Sequence, residues 1–169
     1  GALKFRKGYH ISIPAFALSK KKISNLRYKI VGSQEDKMYF AHLKDLTRKY
    51  GIEKDVDFLI NISDQELGDL YSQAKLFILT SVNHGYHFEG FGLVFLEAAA
   101  AGLPVIGTMD NGIEDAVKDG YNGILVPQNN VEKTADAIVN TLSEPGKWQK
   151  MSRESYEWAR GHDIPLVIN

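Results

Sequence analysis

Two carboxylates and a glycine-rich turn form the part of the sequence best suited to chemistry. The chain reads Glu89-Gly90-Phe91-Gly92-Leu93, and Glu97 follows as the only ionisable side chain between Phe91 and Thr108. A carboxylate in so apolar a run is costly to bury without polar partners. The turn leads into a predicted helix, and the free N–H groups at a helix N-terminus bind phosphates. The pattern indicates either a helix end that reaches solvent or a site for a polar, phosphate-bearing ligand.

The elements that must position this turn alternate between strand-like and helix-like patterns. Strands are predicted at residues 28–31, 56–60, 76–80, 104–108 and 124–126. Helices are predicted at residues 36–50, from a capping box at 63–66, and at 92–101, 113–119, 131–142 and 146–160. This alternation of apolar strands with helices favours an α/β fold, a Rossmann-like doubly wound parallel sheet with helices on both faces.

Composition narrows the class of protein. The 169 residues carry a formal net charge of −1, which favours neither nucleic acid nor an anionic membrane as a partner. Cysteine is absent, which excludes disulfides and thiolate metal sites and fits a cytoplasmic location. The apolar run at 91–108 is not a membrane span, because Glu97, Gly102, Pro104 and Gly107 interrupt it.

The longest loop at the predicted ligand-binding edge is residues 81–92. In doubly wound sheets, ligands bind outside the carboxyl ends of the strands, and this loop follows the strand predicted at 76–80. It contains Asn83, His84, Tyr86 and His87 besides Glu89. Polar and aromatic side chains on a long loop at this edge indicate a ligand contact.

The motifs in this region resemble those of a known family. They are Glu89-Gly90-Phe91-Gly92-Leu93, Leu96-Glu97-Ala98, Ala101-Gly102-Leu103-Pro104-Val105 and Asn122-Gly123-Ile124-Leu125-Val126-Pro127, with Arg6-Lys7-Gly8 upstream. In this order they resemble the C-terminal half of the retaining glycosyltransferases of GT-B fold, the group 1 family. The likeness extends over nearly the whole chain.

The resemblance implies a role for each motif residue. Glu89 would hold hydroxyls of the donor sugar, and Lys7 would neutralise the departing diphosphate; these are the predicted catalytic residues. Glu97 would bind the ribose hydroxyls. Backbone N–H groups of the turn would face the sugar and the diphosphate, and the base would lie near the ends of the first two predicted strands. The predicted donor-binding residues are Gly32, Ile62, Gly90, Phe91, Gly92, Leu93 and Glu97.

The resemblance also implies the organisation of a larger protein. Residues 1–169 would form the C-terminal domain that binds a nucleotide-diphosphate sugar. A separate N-terminal domain would bind the acceptor, and a central strand would precede Gly1. Sugar transfer would retain the anomeric configuration and need no metal or cofactor, in polysaccharide or glycoconjugate biosynthesis. The isolated chain would be inactive, and the full protein would be cytoplasmic, with peripheral association at the inner face of the membrane.

Two departures from the family pattern bear on the site. Ala2 stands where the family usually has an arginine, five residues before Lys7, and Lys4 or Arg6 is a candidate to compensate. The segment 110–112 reads Asp-Asn-Gly in place of a commoner Gly-Gly pair.

Other interpretations stay open at this stage. A non-catalytic nucleotide- or sugar-binding module is the main alternative, and a sugar-nucleotide epimerase of the same architecture is a third possibility. His84-x-x-His87 and Asp55-Val56-Asp57 each have a spacing seen in metal sites. A third ligand is not evident for the histidines, and the aspartates lead into a predicted core strand, so no metal site is predicted.

Overall fold

Strands and helices alternate in the computed structural model, which describes residues 1–162. The strands are β1 (Tyr28–Val31), β2 (Val56–Leu59), β3 (Phe77–Ile78), β4 (Val105–Thr108) and β5 (Gly123–Val126). The α-helices are α1 (Tyr9–Lys20), α2 (Lys37–Tyr50), α3 (Asp64–Gln73), α4 (Leu93–Ala100), α5 (Val131–Leu142) and α6 (Pro145–Arg160). Two short 3-10 turns lie at Phe5–Lys7 and Gly112–Asp115.

All strand pairings are parallel. β1 pairs with β2, with Tyr28 opposite Val56. β4 lies between β3 and β5, and its Val105 is opposite both Phe77 and Gly123. Helices cover both sides of these sheets, which confirms the predicted α/β architecture. β4 is buried along its whole length, as expected for a strand covered on two faces.

The strands form two sheets, with β1 at the edge of one and β3 at the edge of the other. A cavity of about 810 Å³ is lined by residues of both edges, among them Ile30 and Ile78. Lys7, Tyr9 and Glu97 also line it. The resemblance predicts a doubly wound sheet whose central strand precedes Gly1, and the strands within residues 1–162 lie in two sheets.

Helix α1 was not predicted from the sequence. It is buried along most of its length and packs against α2 and α5. Its apolar residues surround the helix, so the usual one-sided pattern of a surface helix is missing. It also contains Pro14, a residue that normally ends helices.

Most predicted boundaries agree with the structure to within a few residues. Ser63 and Glu66 form the predicted capping box at the start of α3, and the Asn130 side chain caps α5. The helix predicted at 113–119 is wrong, since the 3-10 turn ends at Asp115. The Asn122 side-chain oxygen accepts a hydrogen bond from the Lys118 N–H at 2.7 Å, which directs that N–H away from a helical partner.

None of the helices within residues 1–162 combines the length and the apolar character that crossing a bilayer requires.

Candidate functional site

The first 3-10 turn is held against the end of β3. The Thr80 hydroxyl donates a hydrogen bond of 2.7 Å to the Gly8 carbonyl, and the Val82 N–H donates one of 2.8 Å to the Arg6 carbonyl. Gly8 has a φ of 70°, the left-handed conformation that glycine adopts at little cost. These contacts fix the backbone that carries Lys7 beside the loop that carries Glu89.

Lys7 and Glu89, the two predicted catalytic residues, form an ion pair. The Lys7 Nζ atom lies 2.5 Å from Glu89 Oε2, and the side chains are only 17% and 14% exposed. Arg6 joins them, with Nη1 at 3.3 Å from the same oxygen. The Ser81 hydroxyl lies 3.4 Å from Oε2 and donates to it. Partial burial reduces the screening of these charges by water, so the cluster is stronger than a surface ion pair.

The turn between Glu89 and α4 is anchored through its backbone. The Gly112 N–H donates a 2.8 Å hydrogen bond to the Glu89 carbonyl. A Cβ atom at Gly112 would lie 1.6 Å from the Gly90 carbonyl oxygen, so only glycine fits there. This close approach explains why a glycine stands at position 112 of the unusual 110–112 segment. It also fixes the position of Glu89.

The turn opens onto the N-terminus of α4. Gly92 has a φ of 74° and caps the helix without any side-chain hydrogen bond. Phe91 and Leu93 are exposed. The Phe95 N–H donates a 2.8 Å hydrogen bond to the Gly92 carbonyl, and the N–H groups of the two residues before it, Leu93 and Val94, precede the first carbonyl that the helix can offer them. Of the two glycines in the turn, Gly92 alone adopts a left-handed φ. The arrangement can accept an anion at the helix N-terminus.

Glu97 lies one helical turn after Leu93 and is partly buried on the wall of the cavity. Burial first and the nearby Glu97 carboxylate second raise the pKa of Tyr71, so this tyrosine stays neutral. Burial and the neighbouring Glu89 raise the pKa of Tyr9 to about 12. Two neutral tyrosines therefore stand close to the two carboxylates, and Lys7 lines the same cavity as Glu97.

The two residues predicted to lie near the base follow neighbouring strands. Gly32 comes directly after β1, is buried, and donates a 3.0 Å hydrogen bond to the Leu59 carbonyl. A Cβ atom there would lie 2.5 Å from the Gly1 carbonyl oxygen. Ile62 is half-buried in the loop after β2. Both lie at the carboxyl ends of strands, the edge where the prediction placed them.

A polar network joins the 81–88 loop to the ends of β4 and β5. The Gln128 side chain accepts a 2.7 Å hydrogen bond from the Asn83 N–H and donates one of 2.8 Å to the Met109 carbonyl. The Asn83 amide donates to the carbonyl of Asp110, a residue with a φ of 63°. The prediction missed Gln128, although its place two residues after the β5 segment was a usable signal.

The motifs with metal-like spacing have other partners. Asp55 is paired with Lys20 at 3.1 Å, and Asp57 with Arg27 at 3.5 Å. The backbones of His84 and His87 exchange hydrogen bonds of 2.9 and 3.1 Å, which close a tight turn. Across residues 1–162, the structure brings together no group of three potential metal ligands from histidine and the carboxylates.

Comparison with known proteins places this chain in a family. The pattern of the family described as "Glycosyl transferases group 1" matches residues 1–158. A poly(glycerol-phosphate) alpha-glucosyltransferase of Bacillus subtilis is 33% identical over 158 residues, which are 93% of this chain and 22% of that protein. A second relative, from Mycobacterium tuberculosis, is a GDP-mannose-dependent alpha-(1-6)-phosphatidylinositol monomannoside mannosyltransferase. It is 28% identical over 90% of this chain and 40% of the length of that protein.

Solved structures show the same architecture. Anabaena Alr3699/HepE in complex with UDP-glucose superposes with a TM-score of 0.83 and 26% identity, over 95% of this chain and 42% of that one. The C-terminal domain of the group 1 protein LpcC from Francisella tularensis superposes with a TM-score of 0.86 and 24% identity. The match covers 98% of this chain and 84% of that one. The chain spans 22% to 45% of the length of the curated relatives. Its fold is that of the C-terminal domain of GT-B enzymes, and the chain belongs to the group 1 glycosyltransferases.

Proposed function

We propose that this chain is the donor-binding domain of a glycosyltransferase that transfers a sugar from a nucleotide-diphosphate sugar to an acceptor with retention of configuration. The observation that carries the proposal is the Lys7–Glu89 ion pair of 2.5 Å beside the turn that opens α4. It combines a cation for a departing phosphate with a carboxylate for sugar hydroxyls. The complex of Alr3699/HepE with UDP-glucose supports a sugar nucleotide as the donor.

The reaction explains why both charges are needed. The bond between the anomeric carbon and the phosphate oxygen breaks, so negative charge grows on the diphosphate while the sugar ring becomes positive. Lys7 and the α4 N-terminus stabilise the first charge. The acceptor oxygen then bonds to the same face of the anomeric carbon, and its proton passes to the leaving phosphate. These groups supply the charge stabilisation without a metal ion or another cofactor.

Glu97 suits the nucleoside end of the donor. Its carboxylate can accept hydrogen bonds from two neighbouring hydroxyl groups, as a ribose offers. It lies one turn beyond the helix start, on the wall of the cavity that Lys7 also lines. Gly32 and Ile62 would complete the site at the base, with the turn from Gly90 to Leu93 facing the sugar and the diphosphate.

In this proposal the enzyme has a second domain besides the one that these residues form. The relatives are two to five times longer, which supports a separate domain that binds the acceptor. The cavity between the edges of β1 and β3 would take an apolar central strand that pairs with both. The cytoplasmic location and the peripheral association with a membrane stay predictions.

The alternative function is a non-catalytic module that binds a nucleotide or a sugar. The pairing of Lys7 with Glu89 favours the enzyme, because a passive nucleotide binder needs no carboxylate on the sugar side. An epimerase is likewise disfavoured by the transferase family of the chain.

Calorimetric titration of the 169-residue chain with UDP, GDP and ADP tests the proposal. We expect one of them to bind, Lys7→Gln to weaken its binding about tenfold through the lost phosphate contact, and Lys133→Gln on exposed α5 to leave it unchanged. The chain alone should transfer no sugar from UDP-glucose to simple acceptors. Absence of binding for all three nucleotides would remove the proposed function, and turnover by the chain alone would remove the need for a second domain.

A further inference from the structure

The cluster around Glu89 holds more positive than negative charge. Lys7 and Arg6 both point at Oε2, at 2.5 and 3.3 Å, and within residues 1–162 neither has another carboxylate within 4.0 Å. One carboxylate cannot neutralise two cations, so the cluster carries a net charge of about +1. Burying excess charge is costly, and a second anion would relieve that cost.

The backbone at Arg6 is fixed from two sides. Its carbonyl accepts the Val82 N–H at 2.8 Å. The preceding Phe5 ring stacks on His10, with ring centroids 4.2 Å apart, and contacts the His84 ring edge-on at 5.3 Å. The Arg6 side chain is 33% exposed, so it is placed beside Lys7 but still reachable by a ligand.

The chemistry of the Arg6 guanidinium group indicates that the second anion is a phosphate. The planar group offers parallel N–H donors that match two phosphate oxygens, whereas the Lys7 ammonium acts as a point charge. The Arg6 guanidinium contacts Glu89 through Nη1. Within residues 1–162 the other guanidinium N–H groups of Arg6 make no hydrogen bond, which leaves them for a ligand.

We propose that Arg6 is a second phosphate-binding residue, and that Glu89 holds Arg6 and Lys7 in place until the donor arrives. This inference rests on the proposed function. On binding, the diphosphate would replace the Glu89 carboxylate as the partner of both cations. The carboxylate would then be free to accept hydrogen bonds from the sugar hydroxyls. In the donor complex, Lys7 and Arg6 therefore pair with the diphosphate and no longer with Glu89. When the ligand has no sugar, the Glu89 carboxylate competes with the diphosphate for these two cations.

The test compares UDP, uridine and inorganic pyrophosphate by calorimetry on the wild-type chain and on Arg6→Gln, Arg6→Lys and Glu89→Gln. Arg48→Gln is the matched control, because its guanidinium pairs with Asp45 on the exposed face of α2. We expect Arg6→Gln to weaken the binding of UDP and of pyrophosphate about tenfold and to leave the binding of uridine unchanged. Arg6→Lys should recover part of the loss. Glu89→Gln should strengthen UDP binding about three- to tenfold, since the competing carboxylate is gone.

The outcomes separate the two proposals. Equal affinity of wild type and Arg6→Gln for UDP would overturn the role of Arg6 while leaving nucleotide binding intact. Weaker UDP binding by Glu89→Gln would overturn the exchange. If the wild type binds pyrophosphate through Arg6 but no nucleoside diphosphate, the anion site stands and the proposed function falls. Thermal unfolding of each variant checks the fold, and the opposite directions expected for Arg6→Gln and Glu89→Gln cannot both arise from misfolding.

Discussion

Thr80, two residues after β3, packs directly against Gly8 of the N-terminal segment. The Thr80 hydroxyl donates to the Gly8 carbonyl at 2.7 Å, and a Cβ atom at Gly8 would lie 1.7 Å from the Thr80 carbonyl oxygen. Because Gly8 directly follows Lys7, this contact sets the distance between the Lys7 ammonium and the Glu89 loop. The geometry of the charged cluster thus depends on a residue without a side chain.

Replacement of this glycine should destabilise the protein strongly. Gly8→Ala combines a left-handed φ, which costs about 1–2 kcal/mol for a residue with a Cβ, with a backbone clash that forces the segments apart. Gly51→Ala is the control, since Gly51 has a similar φ of 65° but open space around it. Urea denaturation should show a loss of about 1 kcal/mol for Gly51→Ala and at least about 3 kcal/mol for Gly8→Ala. Equal losses would contradict the close approach.

Glu97 should act on the nucleoside and not on the phosphates. We expect Glu97→Gln to weaken the binding of UDP and of uridine by the same factor, about tenfold, because the ribose is common to both. The matched control is Glu132→Gln on the exposed first turn of α5. Calorimetry with both ligands measures the two factors. A loss confined to UDP would place Glu97 at the diphosphate and contradict the assignment.

The stability of the fold should fall in mild acid through His10. Burial first and the nearby His42 second lower the pKa of His10, so the folded state favours the neutral ring. The stabilisation is present above the ordinary histidine pKa of about 6.5 and is lost as pH falls through the lower folded pKa. Urea midpoints between pH 7.5 and 5 should decrease less in His10→Phe, which retains the stacking on Phe5. An unchanged pH dependence would exclude His10 as the cause.

Asn122 should be important for stability although it lies away from the charged cluster. It is fully buried, donates to the Ala116 carbonyl at 3.1 Å and accepts the Lys118 N–H at 2.7 Å. Asn122→Ala removes both hydrogen bonds and leaves the Lys118 N–H without this acceptor, whereas the Ala116 carbonyl keeps the Trp158 Nε1 donor at 3.0 Å; the loss should be about 2 kcal/mol. Asn140→Ala on the exposed side of α5 should change stability by less than about 1 kcal/mol. Denaturant unfolding compares the two, and similar losses would contradict the buried network.

The sequence was sufficient for most of the fold because its signals are local. β1, β4 and β5 are short apolar runs, and α3 and α5 begin at side-chain caps that their residue types reveal. Helix α1 was not predicted because it is buried around most of its circumference, which removes the periodic contrast between apolar and polar positions.

The site was predictable in its residue types but not in its contacts. The resemblance named Lys7 and Glu89, and the structure brings these side chains together across 82 residues of sequence. The direction in which Arg6 points could not be read from its position beside Lys7, because consecutive residues in a 3-10 turn face different ways. Gln128 was missed because its contacts are to backbone atoms of distant loops.

Helix α1 has a consequence for how the protein unfolds. Its Ile13 and Phe16 belong to the core around β1 and β2, whereas its Ala15 belongs to the core around β4, β5 and α5. Within residues 1–162 no ladder of backbone hydrogen bonds connects the two sheets. Side-chain packing on α1 therefore carries much of the coupling between them. Native-state hydrogen exchange should show the β1–β2 half opening as a separate foldon once α1 is weakened, long before β4 becomes exchangeable.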